Sequence, residues 1–384
     1  MHFFWTLLFG AIALLWTIQA LRGALGMSRL PRLADVPPLA DQACPRISII
    51  FAALDEAEKL PVALPTLLAQ DYPDYEVIAV DDRSRDTTPQ ILDAFARKNS
   101  RLNVVHVAAL PQGWLGKPHA LQRGYDQSSG EWLVFTDADV RFAPDLLRRA
   151  LALALHRGWD HLTLMGSLDL RGFWEKTITL YFGVGFLFGV EAWEVSNPRS
   201  RRYMGAGYFQ LIHRSVYETI GTHRRLALEV LEDMKLGKLV KLSGFRSGVA
   251  LGREHVHLRW NESAGEIIRG VTKNFFAASG FSIARVVRDV LSILVISVVP
   301  FVGLPLVSGR ARLFALAAAA LALAAHGWIA RLSRVPWAYA FTHPLGAMIF
   351  AYMLLRSTVV TLWRGGVEWR GTFYPLAQLR KGLV

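Results

Sequence analysis

Trp132-Leu133-Val134-Phe135-Thr136-Asp137-Ala138-Asp139-Val140 decides how this chain is read: a short apolar run leads straight into two carboxylates separated by one alanine. Such a run, bounded by a turn, reads as a buried parallel strand, and ligands of open α/β sheets bind outside the carboxyl ends of such strands. Two carboxylates on one turn can present oxygens to a single hard cation, which can bridge the phosphates of a nucleotide. Alone, the same pattern is more often a solvated acidic turn. Its meaning therefore rests on what surrounds it.

Strand and helix patterns alternate on both sides of it. Ile47–Ala53 is a short β-branched apolar run, Glu56–Gln70 has helical periodicity, and Glu76–Val80 is a second strand ending in Asp81-Asp82. A helix over Thr87–Lys98 follows, with Asp86 or Thr87 as its N-cap, then a strand over Asn103–Val107 and a helix over Lys117–Gln127. After the strand Trp132–Thr136 comes a helix over Pro144–His156 with proline in its first turn. This order predicts an α/β domain with a parallel, doubly wound sheet.

At 384 residues there is room for that domain and for a second kind of structure. Hydrophobic residues make up 52% of the chain and gather at its ends. Phe3–Leu21 is an uncharged run of 19 residues, enough to cross a hydrocarbon core of about 30 Å. Val290–Ser308, Leu313–Ala330 and Trp337–Leu355 are also of spanning length. The first run lacks the basic flank of a signal peptide and is longer than a usual signal core, so it reads as an uncleaved anchor. The expected organisation is an anchor at 1–24, a Pro-rich linker at 25–45, a catalytic domain at 46–285, a transmembrane region at 286–363 and a basic tail at 364–384. Within 172–193 the uncharged stretch Thr177–Val190 is only 14 residues long, and a helix in the membrane interface and a buried core helix fit it equally.

Net charge is +12, but the arginines flank the apolar runs (Arg22, Arg29 and Arg32 after the first, Arg285 and Arg288 before the second). That is the positive-inside pattern, which places the domain on the cytoplasmic side of the inner membrane and removes the reason to invoke nucleic acid. One N-terminal and three C-terminal spans would put the tail on the opposite side from the domain, whereas Arg364, Arg370, Arg380 and Lys381 argue for the same side. The span count stays open at this point. A single cysteine, Cys44, excludes an intrachain disulfide. His255 and His257 alternate as on a strand without a third ligand at a zinc-site spacing.

Further acidic stations accompany the first. Val80-Asp81-Asp82-Arg83-Ser84-Arg85-Asp86-Thr87-Thr88, Leu67-Leu68-Ala69-Gln70-Asp71-Tyr72-Pro73, Leu231-Glu232-Asp233 with Leu236-Gly237, and the strand and loop Ile47–Glu56 join Thr136–Val140 in a set that resembles the family 2 glycosyltransferases of the GT-A fold. The resemblance covers roughly 46–280. Leu110-Pro111-Gln112-Gly113-Trp114-Leu115-Gly116-Lys117, Asn197-Pro198-Arg199-Ser200 and Thr272–Ala277 are similar to the branch that acts on hopanoids, carotenoids and ceramides. Processive polysaccharide synthases carry Gln-x-x-Arg-Trp; here Val256-His257-Leu258-Arg259-Trp260 keeps only the Arg-Trp pair.

The resemblance implies a GT-A domain, with a Rossmann-like, mixed but mostly parallel sheet, that moves one sugar with inversion from a nucleotide sugar, of the UDP type, to a lipid acceptor. It implies that Ala53, Asp55, Glu56, Asp81, Asp82, Lys117 and Asp137 line the donor site, that Asp139 and Asp137 hold Mg²⁺ or Mn²⁺, and that Asp233 is the general base supported by Glu232. Arg259 and Trp260 would close over diphosphate and acceptor. On residue chemistry alone Lys117 is as readily a solvated lysine, Glu232-Asp233 an acidic helix start, and Gly205-Ala206-Gly207 a plain turn. A processive synthase, or a non-catalytic scaffold or nucleotide sensor on the same fold, are the alternative functions.

Overall fold

The computed structural model describes residues 2–260 and 263–384. In chain order its elements are α1 (His2–Met27), β1 (Ile47–Ala53), α2 (Leu60–Leu68), β2 (Tyr75–Asp82), α3 (Thr88–Ala96), β3 (Leu102–Val107), α4 (Gly116–Asp126), β4 (Trp132–Asp137), β5 (Arg141–Phe142), α5 (Leu146–Arg157), β6 (His161–Met165), β7 (Ser167–Leu168) and α6 (Phe173–Gly189). There follow β8 (Gln210–His213), α7 (Arg214–Thr219), α8 (Glu232–Leu242), β9 (Ser247–Leu251), β10 (Val256–Leu258), α9 (Ala264–Ala278), α10 (Ile283–Ser297), α11 (Val299–Gly303), α12 (Gly309–Leu332), α13 (His343–Arg364), β11 (Gly366–Trp369), β12 (Thr372–Pro375) and α14 (Leu376–Lys381). They form two compact units, one α/β (Leu30–Asp169, Ala192–Arg259, Glu368–Val384) and one helical (Met1–Arg29, Leu170–Glu191, Trp260–Val367).

The α/β unit is built on a seven-stranded sheet in the order β3-β2-β1-β4-β8-β6-β9. Every residue of β1 is buried, as a strand covered on both faces requires. Ile49 and Phe51 pack with Leu60, Leu64 and Leu146 on one face, while Ile50 and Ala52 pack with Ala120 and Leu121 of α4 on the other. The register sets Ala53 opposite Asp81 and Ala52 opposite Asp137, so β1, β2 and β4 end level and present their acidic residues at one rim.

The sheet is mixed but mostly parallel, as the family resemblance implies, with β8 antiparallel to both β4 and β6. One expectation needs correction. The first helix starts at Leu60 and not at Glu56. Asp55 is in the left-handed region (φ 56°), and the amides of Glu56 and Ala57 donate to the Thr88 hydroxyl (2.9 Å) and the Asp86 carboxylate (3.1 Å). Those bonds tie the turn over residues 54–57 to the segment after β2.

In the helical unit, His2–Met27, Gly309–Leu332 and Trp337–Arg364 are long and apolar enough to cross a membrane. Gly10 lies against Phe314 and Gly23 against Trp328, so α1 and α12 run parallel. The expected single span Val290–Ser308 is broken at Val298 into α10 and α11. Pro300 explains the break: a proline cannot bond the carbonyl four residues back and its ring crowds that carbonyl. The freed carbonyl of Ile296 accepts the Trp16 indole N–H at 3.2 Å, an apolar-phase repair of the interrupted ladder. Residues 172–193 supply α6, which joins this helical unit with Thr177, Ile178, Leu180 and Tyr181 buried.

The basic tail is not a free extension across from the domain. Residues 368–384 belong to the α/β unit, where Lys235 and Lys238 each donate to the backbone oxygen of Val384 at 2.7 Å. Tail and domain are thus parts of one folded unit.

Ser48 ties the centre of the sheet to its neighbours. Its hydroxyl, fully buried, donates to Glu76 of β2 (2.7 Å) and accepts the Gly130 amide before β4 (2.8 Å). Ser48→Ala leaves that amide without a partner and is expected to cost the α/β unit about 1–3 kcal/mol. A lowered thermal midpoint in detergent would show it, and an unchanged midpoint would mean that the network is not stabilising.

Candidate active site

The rim formed by the ends of β1, β2 and β4 carries the donor residues expected from the sequence. Asp81 is buried; its Oδ2 lies 3.0 Å from His106 Nδ1 and its Oδ1 accepts the Ser84 amide. The opposite ring nitrogen of His106 reaches Asp93, and the hydrogen bond to Asp81 heads the causes that raise the His106 pKa. Asp82 is wholly buried and grips the guanidinium of Arg83 through both oxygens (2.8 and 3.1 Å). Gly116 at the start of α4 comes so close that a Cβ there would sit 2.5 Å from Asp82 Oδ2, which is why this position of the Gly-Trp-Leu-Gly-Lys loop has no side chain. Ala53 ends β1 beside Asp81, and Asp55 Oδ1 accepts the Arg85 amide at 2.7 Å.

Lysines organise the acidic turn after β4. Lys59 Nζ lies 2.9 Å from Asp139 Oδ2 and 3.7 Å from Glu56. Lys117 Nζ lies 2.7 Å from both Asp137 Oδ1 and Glu232 Oε1. Lys117 thus stands in the first turn of α4, not on a flexible loop, and its side chain is only 14% exposed. Burial alone would lower its pKa, but Asp137, Glu232 and Asp233 outweigh burial and hold it raised. It joins the end of β4 to the start of α8.

Glu232 and Asp233 form the first turn of α8, as an acidic helix start would, and they also face this centre. Asp233 accepts the Gly207 amide on Oδ2 (2.9 Å) and the Met234 amide on Oδ1 (2.7 Å). Gly205 lies against the backbone of α8: a Cβ there would be 1.8 Å from the Asp233 carbonyl oxygen. Gly205-Ala206-Gly207 is therefore a seat for α8 rather than a plain turn. Burial and then the neighbouring Glu232 carboxylate push the Asp233 pKa up to about 6, with Lys117 opposing. Glu56 is raised too, first by burial.

Arg259 follows β10, which pairs antiparallel with β5 (His257 opposite Arg141) and so heads back toward Val140 and Asp139. Trp260 falls in the helical unit, edge-on to Phe182 at 4.9 Å. The α/β unit thus brings together Asp137, Asp139, Lys117, Glu232 and Asp233, whereas Trp260 packs among the aromatic residues of the helical unit.

The residues fit a divalent cation of one kind only. No group of three or more His, Cys, Asp or Glu side chains suited to a metal exists among the described residues. Asp137 and Asp139 offer hard oxygen donors, which suit Mg²⁺ or Mn²⁺ if a substrate's phosphates complete the shell. A cation held by protein alone does not fit.

Lys59, His106 and Arg83 were not singled out from the sequence. His106 had a signal, a titratable residue inside an otherwise apolar strand, which the register then sets opposite Asp81. Lys59 also had one, three residues after Glu56 at the head of a helix.

Residues 48–163 match the profile of Glycosyl transferase family 2. Over 147 residues the chain is 33% identical to the beta-monoglucosyldiacylglycerol synthase of Synechocystis, covering 35% of this chain and 30% of that protein. It is 32% identical over 141 residues to the undecaprenyl-phosphate 4-deoxy-4-formamido-L-arabinose transferase of Pseudomonas fluorescens, covering 35% and 40% respectively. The chain thus spans less than half the length of these curated relatives. The solved structure of the mannosyltransferase PcManGT from Pyrobaculum calidifontis in complex with GDP-Man and Mn²⁺ superposes with a TM-score of 0.54 at 19% identity, covering 93% of this chain and 99% of that one. At that identity the likeness concerns the fold, which is GT-A. The chain carries a glycosyl transferase family 2 domain.

Proposed function

We propose that this protein transfers a single sugar, with inversion, from a nucleotide sugar of the UDP type to a hydroxyl or phosphate oxygen of a lipid, at the cytoplasmic face of the inner membrane. The observation that carries the reading is Asp233: a carboxylate poised near pH 6, linked through Glu232 and Lys117 to the acidic turn after β4. Two curated relatives are named for lipid products or lipid carriers, and three helices have membrane-spanning length and composition. Single transfer is favoured over polymer synthesis because Val256, where the processive motif has Gln, is buried in β10 opposite Phe142.

In the proposed reaction the acceptor oxygen attacks the anomeric carbon, the bond from that carbon to the donor phosphate oxygen breaks, and the acceptor proton passes to Asp233. The nucleoside diphosphate leaves. Asp139, with Asp137, would hold the cation, which supplies charge neutralisation to the departing diphosphate. Lys117 pairs with Glu232 beside the base, so that the buried Glu232 side chain has a counter-charge. Ala53, Asp55, Glu56 and the Asp81–Asp82 pair would receive the nucleoside, with Arg83 and His106 fixing the two aspartates. Arg259 would approach the diphosphate.

Membranes carrying the chain, incubated with a panel of nucleotide sugars and a divalent cation, should yield a monoglycosylated lipid detectable by mass spectrometry. Polymer, or no glycolipid with any donor, would overturn the reading. Asp233→Asn should lower turnover by roughly 10²–10⁴-fold; near-normal turnover would remove Asp233 as base. A base works deprotonated, so kcat/KM should rise with pH through an acid limb at about 6, the value to which Asp233 is raised. A limb near the ordinary carboxylate range would contradict that assignment. EDTA should abolish transfer and Mn²⁺ or Mg²⁺ restore it; activity that survives the chelator would exclude the metal role of Asp139.

A further inference from the structure

Residues 368–384 are the part of the α/β unit that sugar transfer leaves unused, yet they are docked along the donor side of the rim. Arg370 and Gly371 are the two residues between β11 and β12, and both have positive φ (51° and 74°). Tight hairpins require that geometry and usually fill the first place with Asn, Asp or Gly. Arginine in the left-handed region is strained, and such strain gathers where a side chain must be aimed. Here the guanidinium lies 3.7 Å from Glu56 Oε1, at the end of β1, where the Glu56 side chain is 15% exposed.

The rest of the segment is held as firmly. Tyr374 is 5% exposed, and burial is the first cause that raises the pKa of its hydroxyl, with the Thr372 side chain and the Gly116 amide opposing. Leu379 is wholly buried, and Gly382 lies so close to Leu228 that a Cβ would sit 2.3 Å from the Leu228 Cβ. At Val384 the backbone oxygen receives Lys235 and Lys238, and the amide donates to the buried Glu229 (3.3 Å). One end is thus fixed at Glu56, the other beside the start of α8. Between them lies the loop before α4, whose Leu115 amide bonds the Ala227 carbonyl at 2.7 Å.

We propose that residues 368–384 form a strap that completes the nucleotide pocket, with Arg370 as the positioning residue for Glu56 and the buried Tyr374 as the packing anchor of the hairpin, so that a nucleoside diphosphate binds tightly only while the strap is docked. This rests on the donor reading of Glu56 and Asp82 given above. The strap acts through the pocket and not through the acceptor, because its ion pair at the rim is to Glu56, in the loop after β1.

Calorimetric titration of UDP and of GDP into the full chain in detergent, beside the sugar-transfer assay, tests it. Arg370→Gln should weaken binding of the preferred nucleotide by roughly two- to fivefold, as loss of a partly exposed ion pair does. Arg370→Lys should recover part of it, and the donor KM should rise while the acceptor KM stays. Tyr374→Phe, which keeps the packing, should weaken binding less than Tyr374→Ala. Wild-type affinity in folded Arg370→Gln and Tyr374→Ala would overturn the strap and leave the sugar-transfer reading standing. Weakened nucleotide binding in a chain that transfers no sugar would support the strap and overturn that reading, and a wild-type chain that binds neither nucleotide would overturn both.

Discussion

One ammonium group, Nζ of Lys117, is the constraint on which the centre of this molecule depends. It contacts Asp137 on one side and Glu232 on the other, each at 2.7 Å. Glu232 and Lys117 are both largely buried and each needs a counter-charge, while the half-exposed Asp137 gives the lysine a second one. Their mutual requirement locks the end of β4 to the start of α8, two elements far apart in the chain, and leaves Asp233 beside the cluster with its affinity for protons raised. The spatial relation of acidic turn and candidate base thus follows from charge compensation as much as from the sheet.

The same logic recurs at lower stakes around the rim. Lys59 compensates Asp139 and Glu56, Arg83 compensates Asp82, and His106 spans Asp81 and Asp93. Each acidic residue at a strand end has a basic partner in the structure, so a donor with its own phosphate charge would meet cations already gathered there. In the helical unit the currency is backbone hydrogen bonding: the Ile296 carbonyl freed by Pro300 is met by Trp16, as an apolar environment demands.

Much of this was legible in the sequence because it is local. Apolar runs of strand length announced β1, β2 and β4, and the acidic residues at their ends followed from the runs stopping there. The antiparallel strand β8 was not legible, since Gln210–His213 is short and of mixed polarity and finds its place only between β4 and β6. The partners of the carboxylates were hidden for the same reason: Lys59 and Asp139 stand 80 residues apart, and only the register of the sheet brings them into contact. The tail read as basic composition and could not be seen to fold back, because its anchors Glu56, Leu228 and Glu229 lie in distant segments. The break in α10–α11 did have a visible signal in Pro300, which the even hydropathy of Val290–Ser308 concealed.

The central claim is that Lys117 holds down the proton affinity that burial and Glu232 raise at the base. The most direct test is the pH dependence of kcat/KM for Lys117→Met against the wild type. Lys117 lowers the Asp233 pKa while burial and Glu232 raise it, so its removal should move the acid limb upward from about 6, and Lys117→Arg should hold it near the wild-type position. A limb that stays in place or moves downward in Lys117→Met would contradict the account.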